Sequence, residues 1–163
     1  MSERRPAPPG VEVAIPGRKR PLRIEHVVFD FNGTLAVEGR LVRGVATRLK
    51  ALAALTKVTV MTADTFGTVR GALARLPVTV HVVRSGNEKR RFVESLGGEL
   101  VAAIGNGTND MPMLRAAALG IVVIGEEGTF AEAVRAATVI ARDINVAIDL
   151  LLRPKRLVAT LRR

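Results

Sequence analysis

The sequence contains no cysteine, which excludes disulfides and thiolate metal sites and gives no sign of secretion. Tryptophan and tyrosine are absent too, and phenylalanine occurs only five times. A base-stacking surface for nucleic acid needs more rings than that. No apolar run reaches the roughly 20 residues required to cross a bilayer. The first ten residues carry no apolar signal core. A cytoplasmic protein without a membrane segment is therefore expected. The two histidines, His26 and His81, share no ligand-like spacing and read as structural or surface residues.

Acidic residues are also in short supply. Against 25 Lys and Arg stand 15 Asp and Glu, a net charge of +10. A positive field attracts phosphorylated small molecules as well as polyanions, so charge alone does not choose between them. The basic residues are scattered, with small clusters at Arg18-Lys19-Arg20, at Lys89-Arg90-Arg91 and from Arg153 to Arg163. Nucleic-acid binding is the minority reading. A phosphorylated small molecule or another anionic substrate is the leading one.

What is present is a foldable core. At 163 residues and 48% hydrophobic content, one domain of ordinary size is expected. Residues 1–10 are Pro-rich and charged and read as a disordered basic tail. Residues 11–163 read as a single domain. Val11 to Ile15 alternates like an edge strand, and Leu22 to Glu25 is placed to return antiparallel after the turn at Pro16-Gly17. Together they form a β extension ahead of the first central strand, Ile24 to Asp30.

Asp30 ends an apolar run and is followed at once by Phe31-Asn32-Gly33-Thr34-Leu35. Two readings meet here. Asn-Gly between apolar residues is a strong hairpin signal. A buried parallel strand that delivers a carboxylate to the carboxyl edge of a sheet looks the same. Residues 34–43, with Glu38-Gly39 at their middle, suggest a small hairpin flap. Apolar spacing at Val45, Leu49, Leu52 and Leu55 predicts a helix. Further strands are expected at Val58–Met61, Val78–Val83, Val101–Ile104, Ile121–Ile124 and Thr138–Ala141. Helices are expected at about Phe66–Leu76, Asn87–Leu96, Asp110–Ala118, Phe130–Ala136 and, capped by Asp143, through Leu152. Pro154 is read as the interruption of that helix, with a basic tail beyond it. Strands alternating with helices predict a doubly wound, mostly parallel sheet.

That topology gathers a particular set of side chains. Asp30, Thr62, Asp64 and Asp110 end or closely follow strands, so all fall on one edge of the sheet. Lys89 stands near a helix start between the last two. A carboxylate nucleophile, a hydroxyl, a lysine and a second acidic loop suit phosphoryl-group chemistry. The carboxylate attacks phosphorus, the hydroxyl and lysine meet the equatorial oxygens, and oxygen-rich loops hold Mg²⁺. Plainer roles exist for each. Thr62 is β-branched and at home in a strand. Asp64 or Thr65 suits a helix N-cap. Asp110 could cap a helix that has Pro112 in its first turn. Lys89 is one of three adjacent basic residues, for which a solvated helix face is the default. Gly105 and Gly107 lack the third glycine of a dinucleotide fingerprint, because position 110 is Asp.

Asp30-Phe31-Asn32-Gly33-Thr34 resembles the first motif of the haloacid dehalogenase (HAD) superfamily, Asp-x-Asp-Gly-Thr. Thr62-Ala63-Asp64 resembles the Thr-Gly-Asp of P-type ATPase phosphorylation domains, and Gly105-Asn106-Gly107-Thr108-Asn109-Asp110 their Gly-Asp-Gly-x-Asn-Asp loop. Lys89 falls at the place of the third-motif lysine. The resemblance runs from about Ile24 to Asp143, and is nearest to small soluble P-type-ATPase-like HAD proteins. It implies a Rossmann-like HAD core. It also implies Asp30 as nucleophile and Mg²⁺ ligand, and the main-chain carbonyl of Asn32 as a second ligand. Thr62, Ala63 and Lys89 would bind phosphate, and Asn106 and Asp110 would complete the metal site.

Two positions depart from the motifs. Asn32 replaces the aspartate that serves HAD phosphatases as general acid/base, a contribution typically worth roughly 10²–10⁴-fold. Asn106 replaces the first aspartate of the fourth motif, which removes a negative charge from the metal site. Two readings follow: a slow Mg²⁺-dependent phosphohydrolase or phosphotransferase, or a HAD-fold binding or regulatory protein with an anionic partner. The gaps between motifs hold only a flap, a helix or a strand. The resemblance therefore implies a capless protein with an open site, suited to a macromolecular substrate or to lidding by a second copy in a homo-oligomer.

Overall fold

The structure, a computed structural model, describes residues 6–64 and 68–163. Its centre is a six-stranded, fully parallel sheet. In chain order the strands are β3 (His26–Asp30), β6 (Lys57–Thr62), β7 (Thr79–Val82), β8 (Val101–Gly105), β9 (Leu119–Val123) and β10 (Val139–Ala141). In space the order is β10-β9-β8-β3-β6-β7. The chain goes from β3 outward to β6 and β7, then crosses back to β8 on the other side. Asp30 thus ends the strand at which the winding direction reverses, where open α/β sheets form a crevice.

Seven helices flank the sheet among the described residues: α1 (Val45–Ala53), α2 (Thr68–Leu73), α3 (Gly86–Ser95), α4 (Met111–Ala116), α5 (Ala131–Ala136), α6 (Ile144–Leu152) and α7 (Lys155–Leu161). Side chains alternate between two cores, as the pleat requires. Val27 and Phe29 of β3 face the larger core with α1, α2, α6 and α7, whereas Val28 faces the smaller one with α3, α4 and α5. β8 repeats the pattern, with Ala102 and Ile104 on one side and Val101 and Ala103 on the other. A strand buried on both faces reads as an unbroken apolar run.

The expected α/β architecture is present, with differences of detail. The first central strand does not begin at Ile24. The chain bends at Glu25, and β2 (Leu22–Ile24) pairs antiparallel with β1 (Val11–Val13). Glu25 ties this extension to the sheet: its N–H donates to Leu100, and its carbonyl accepts from Lys57. The flap is there as β4 (Ala36–Val37) and β5 (Arg40–Leu41), an antiparallel pair. Its turn residues, Glu38 at φ 49° and Gly39 at φ 77°, are both left-handed, as a two-residue hairpin turn with a right-twisted ribbon demands.

α4 stops at Ala116, and β9 starts at Leu119, two residues ahead of the expected Ile121. The helix expected from Phe66 is described from Thr68; Thr65, Phe66 and Gly67 lie outside the described residues. The basic tail after Pro154 is a correction as well. The helix is interrupted there, α6 ending at Leu152, but the stretch beyond is helical: Pro154 caps α7, since its fixed φ suits a helix start. Leu157 then anchors α7 in the larger core. No helix among the described residues is long and apolar enough to cross a membrane.

Candidate active site

Each site side chain is delivered by an element whose local sequence explains its position. Asp30 is the last residue of β3, and the chain leaves it in a tight turn closed by the Phe31 carbonyl, which accepts from the N–H groups of Thr34, Leu35 and Ala36. The turn needs Gly33, at φ 76°, and a Cβ there would collide with the Asn106 side-chain amide. Asn106 follows β8, and Asp110 closes the short 3-10 turn after it. Gly105 makes room for Asp110, because a Cβ at Gly105 would lie 2.5 Å from the Asp110 carboxyl carbon. Lys89 sits in the first turn of α3. Ser85 caps that helix, accepting from the Glu88 N–H at 3.2 Å, and Glu88 accepts from the Arg84 N–H at 2.8 Å.

Lys89 is buried, not solvated: it is 1% exposed, while Arg90 and Arg91 point to water. Its Nζ donates to Asp30 Oδ1 at 2.8 Å and to Asp110 Oδ1 at 2.7 Å. Asp110 Oδ2 accepts the N–H groups of Asn106 and Gly107, both at 2.9 Å. Both oxygens of Asp110 are therefore committed to Lys89 and to the loop that carries Asn106. Thr34, to which the motifs gave no separate role, bridges the site. Its hydroxyl lies 3.2 Å from both Asp30 Oδ2 and Asn106 Oδ1. Asn106 is fixed further by donating to the Gly128 carbonyl at 3.1 Å and by accepting the Phe130 N–H at 2.9 Å.

Burial is the main force that raises the Asp30 carboxyl to about 6, with the negative charge of Asp110 adding to it; Lys89 and Thr34 pull the other way. For Lys89, burial favours the neutral amine, but the attraction of Asp30 and Asp110 outweighs it and holds the ammonium above its ordinary range. The lysine is therefore charged, and bonded to both carboxyl groups.

The other expected residues lie nearby in the fold with different engagements. Thr62, 2% exposed at the end of β6, accepts the Asp64 N–H at 3.0 Å. A hydroxyl that accepts still has its proton to donate. Ala63 and Asn32 are exposed. Asp64 accepts the Val69 N–H at 3.0 Å, in the manner of a helix cap. His26 sits at the start of β3, at the opposite end from Asp30; His81, in β7, is in register with Met61 and so with Asp30, but its ring packs against Phe92, with centroids 4.9 Å apart.

The donor set suits a hard cation. Among the described residues no cluster of three or more His, Cys, Asp or Glu is placed to hold a metal. What the site offers instead is Asp30 Oδ2 and Asn106 Oδ1, two acceptors that share the single proton of Thr34. Oxygen lone pairs in excess of donors are what Mg²⁺ or a similar ion takes up. Beside them is a cavity of about 70 Å³, walled by Thr34, Val37, Val42, Val123, Glu126 and Ile144 among others.

Comparison with known proteins agrees with this architecture. A putative HAD superfamily (subfamily III A) hydrolase from Legionella pneumophila superimposes with a TM-score of 0.68 at 17% identity, over 84% of this chain and 86% of that one. The 3-deoxy-D-manno-octulosonate 8-phosphate phosphatase of Moraxella catarrhalis, solved with magnesium, phosphate and the KDO molecule, gives 0.66 at 16% identity, over 85% and 94% of the two chains. The chain therefore has the fold of these HAD superfamily hydrolases and phosphatases.

In sequence it is related to the uncharacterized protein MJ0073 of Methanocaldococcus jannaschii, at 48% identity over 62 residues, 38% of this chain and 67% of that protein. A zinc-transporting PIB-type ATPase is similar at 26% identity with a TM-score of 0.60, over 74% of this chain but only 20% of the transporter. No protein-family model matches.

Proposed function

We propose that the protein is a Mg²⁺-assisted phosphohydrolase or phosphotransferase that works through an aspartyl phosphate on Asp30. The observation that carries this reading is the asymmetry of the Asp30 carboxylate. Oδ1 is held by Lys89 at 2.8 Å, while Oδ2 meets only the Thr34 hydroxyl, at 3.2 Å. One oxygen is fixed and the other is available, at the crevice edge of the sheet.

In the first step an Asp30 oxygen attacks phosphorus, the bond from phosphorus to the leaving oxygen breaks, and the leaving oxygen takes a proton from water. In the second, water attacks phosphorus and passes its proton to solvent, which replaces the one taken in the first step, and the bond to Asp30 breaks, releasing phosphate and the Asp30 carboxylate. Lys89 keeps its positive charge beside the reacting group throughout. The Thr62 hydroxyl and the main chain at Ala63 bind the phosphoryl oxygens. Asp30 Oδ2, the Asn106 side-chain oxygen and the Asn32 carbonyl would hold the cation, with Asp110 fixing the loop that presents Asn106. Bound there, the ion would neutralise charge on the phosphoryl oxygens.

Asn32 has no proton to shuttle at neutral pH, so the protein is slow to discharge the phosphoaspartate. Phosphatase activity on phosphorylated sugars, as in the name of the Moraxella protein, supplies a first substrate class to try. The flap is the only regular structure between Asp30 and α1 among the described residues. The reading is of a capless, cytoplasmic enzyme with an open site, completed by a large substrate or by a second copy.

The test is intact-protein mass spectrometry after incubation with Mg²⁺ and acetyl phosphate or sugar phosphates. The expected result is one phosphoryl adduct, removed by hydroxylamine and absent from Asp30→Asn. Asn32→Asp should shorten the life of the adduct by roughly 10²–10⁴-fold, the range of acid–base help. An adduct on the Asp30 variant would end the mechanism. A second reading has its own support in the amides at Asn32 and Asn106: a HAD-fold regulatory protein that binds an anion without turning it over. No adduct and no phosphate release from any donor would favour it.

A further inference from the structure

The basic residues look scattered along the sequence, but the fold gathers eight of them. The turn between β1 and β2 carries Arg18, Lys19 and Arg20, and the last stretch of the chain carries Arg153, Lys155, Arg156, Arg162 and Arg163. The Arg163 N–H donates to the Pro16 carbonyl at 3.1 Å, which brings the two segments together. A groove between β1 and α7, walled by Glu12, Val13, Ala14, Pro154, Lys155 and Val158, shows that they lie side by side. On α7 the apolar residues Leu157, Val158 and Leu161 turn inward, while Lys155 and Arg156, and Arg162 just after the helix, stay exposed.

Carboxylates do not balance this surface. No Asp or Glu occurs between residues 13 and 24 or after Asp149. Two carboxylates border it, and each is taken. Glu12 pairs with Arg23 at 3.3 Å. Asp149 pairs with Arg48 through both oxygens, at 2.9 and 3.2 Å, and feels Arg153 and Arg156 only more weakly, through their charge. None of the eight cations forms an ion pair among the described residues. The Nε of Arg18 is shielded from solvent and has no acceptor. The surface therefore carries more positive charge than its two bordering carboxylates cancel.

We propose that this surface, formed by the β1–β2 turn and α7, binds the phosphate backbone of a nucleic-acid duplex without sequence preference. Six of the eight residues are arginines, whose planar fork matches phosphate oxygens. Phe130 and the exposed aliphatic residues Val82, Ile124 and Ile140 all lie on other elements, so the surface has no apolar wedge for a lipid bilayer. It also has no aromatic ring on which an unpaired base could stack, which favours a duplex over a single strand. The β1–β2 extension joins the sheet at the amino ends of its strands, away from Asp30, so the activity proposed for Asp30 is not required for binding.

Fluorescence anisotropy with a labelled random-sequence 24-base-pair duplex tests this. With about five phosphates neutralised, affinity should fall on the order of 500-fold between 50 and 200 mM salt. The quadruple variant Lys19→Ala, Arg20→Ala, Arg156→Ala, Arg162→Ala should lose most of the binding and most of the salt slope, with an unchanged circular-dichroism melt. Arg90→Ala with Arg91→Ala, on exposed positions of α3, should retain both, and so should Asp30→Asn. Absence of binding at 50 mM salt overturns the proposal, as does binding that the quadruple variant retains. Vesicles containing phosphatidylserine provide the competing arm. Capture by vesicles at a salt concentration where the duplex is not bound would assign the surface to lipid and overturn it too.

Discussion

At the carboxyl ends of the strands, Asp30, Lys89 and Asp110 are packed into the protein with nearly every polar atom paired. At the amino ends, a larger group of cations is mostly exposed and forms no ion pair of its own among the described residues, with only Glu12 and Asp149 at its border. The inner group depends on its neighbours, because a buried charge left alone is costly. The outer group hardly depends on them, because water screens it. The same residue type is therefore structural in one region and dispensable for folding in the other. Position 89 and position 90 are adjacent in sequence and belong to different regimes.

The sharpest way to break the comparison is Lys89→Met. It leaves two buried carboxylates facing each other, and urea unfolding should show a loss of about 3–5 kcal/mol, as for other broken buried pairs. Arg90→Met, one residue on, should stay within about 0.5 kcal/mol. A loss at Arg90 as large as at Lys89 would remove the distinction.

The pH dependence sharpens it further. The Asp30 carboxyl titrates at about 6 in the folded protein, above its ordinary value, so the native state binds the extra proton. The contribution of this group is fully present below about pH 4 and is lost as pH rises through about 6. Urea unfolding from pH 4 to pH 7 should show this decline in the wild type and a flatter profile in Asp30→Asn. Identical profiles would remove Asp30 as its source.

A smaller effect is expected at Gly105→Ala. The new methyl would push against the Asp110 carboxyl and cost about 1–3 kcal/mol, the range for overpacking a filled space. Crystallography or amide chemical shifts of Asn106 and Gly107 would show whether Asp110 gives way. Least of all should follow from Arg156→Ala or Arg162→Ala, within about 0.5 kcal/mol on the exposed side of α7. A large loss there would mean that the outer cations are held by contacts after all.

Asp30 was legible only together with the later stretches at Thr62, Lys89 and Asp110, because its own stretch reads equally as an Asn-Gly hairpin. The sheet itself was legible because alternation into two cores leaves few polar positions. Lys89 was not distinguished by composition, because two arginines follow it directly. Its phase on the helix carried the missing signal: Lys89 and Val93 lie one turn apart, and both are buried. Thr34 was part of a motif, yet its bridge to Asn106 depends on a turn and a loop 72 residues apart, which no local pattern encodes. α7 was missed because Pro154 was given only its role as a breaker, although Leu157, Val158 and Leu161 already had helical spacing. The clustering of the outer cations had no sequence signature, since it needs the Arg163 to Pro16 contact.

The order of the strands has a further consequence, in time instead of space. Reading from the amino end, β3, β6, β7 and α3 are all synthesised before β8. One half of the sheet and the Asp30–Lys89 pair can therefore form while the other side of β3 is still bare. The lysine reaches the first carboxylate before the second exists, so Asp30 need not wait uncompensated for Asp110. Asp110 then joins a cation already in place as β8 covers the open edge. In refolding experiments Lys89 should accordingly show a larger φ-value than Asp110; the reverse ranking would mean that the two halves of the sheet close together.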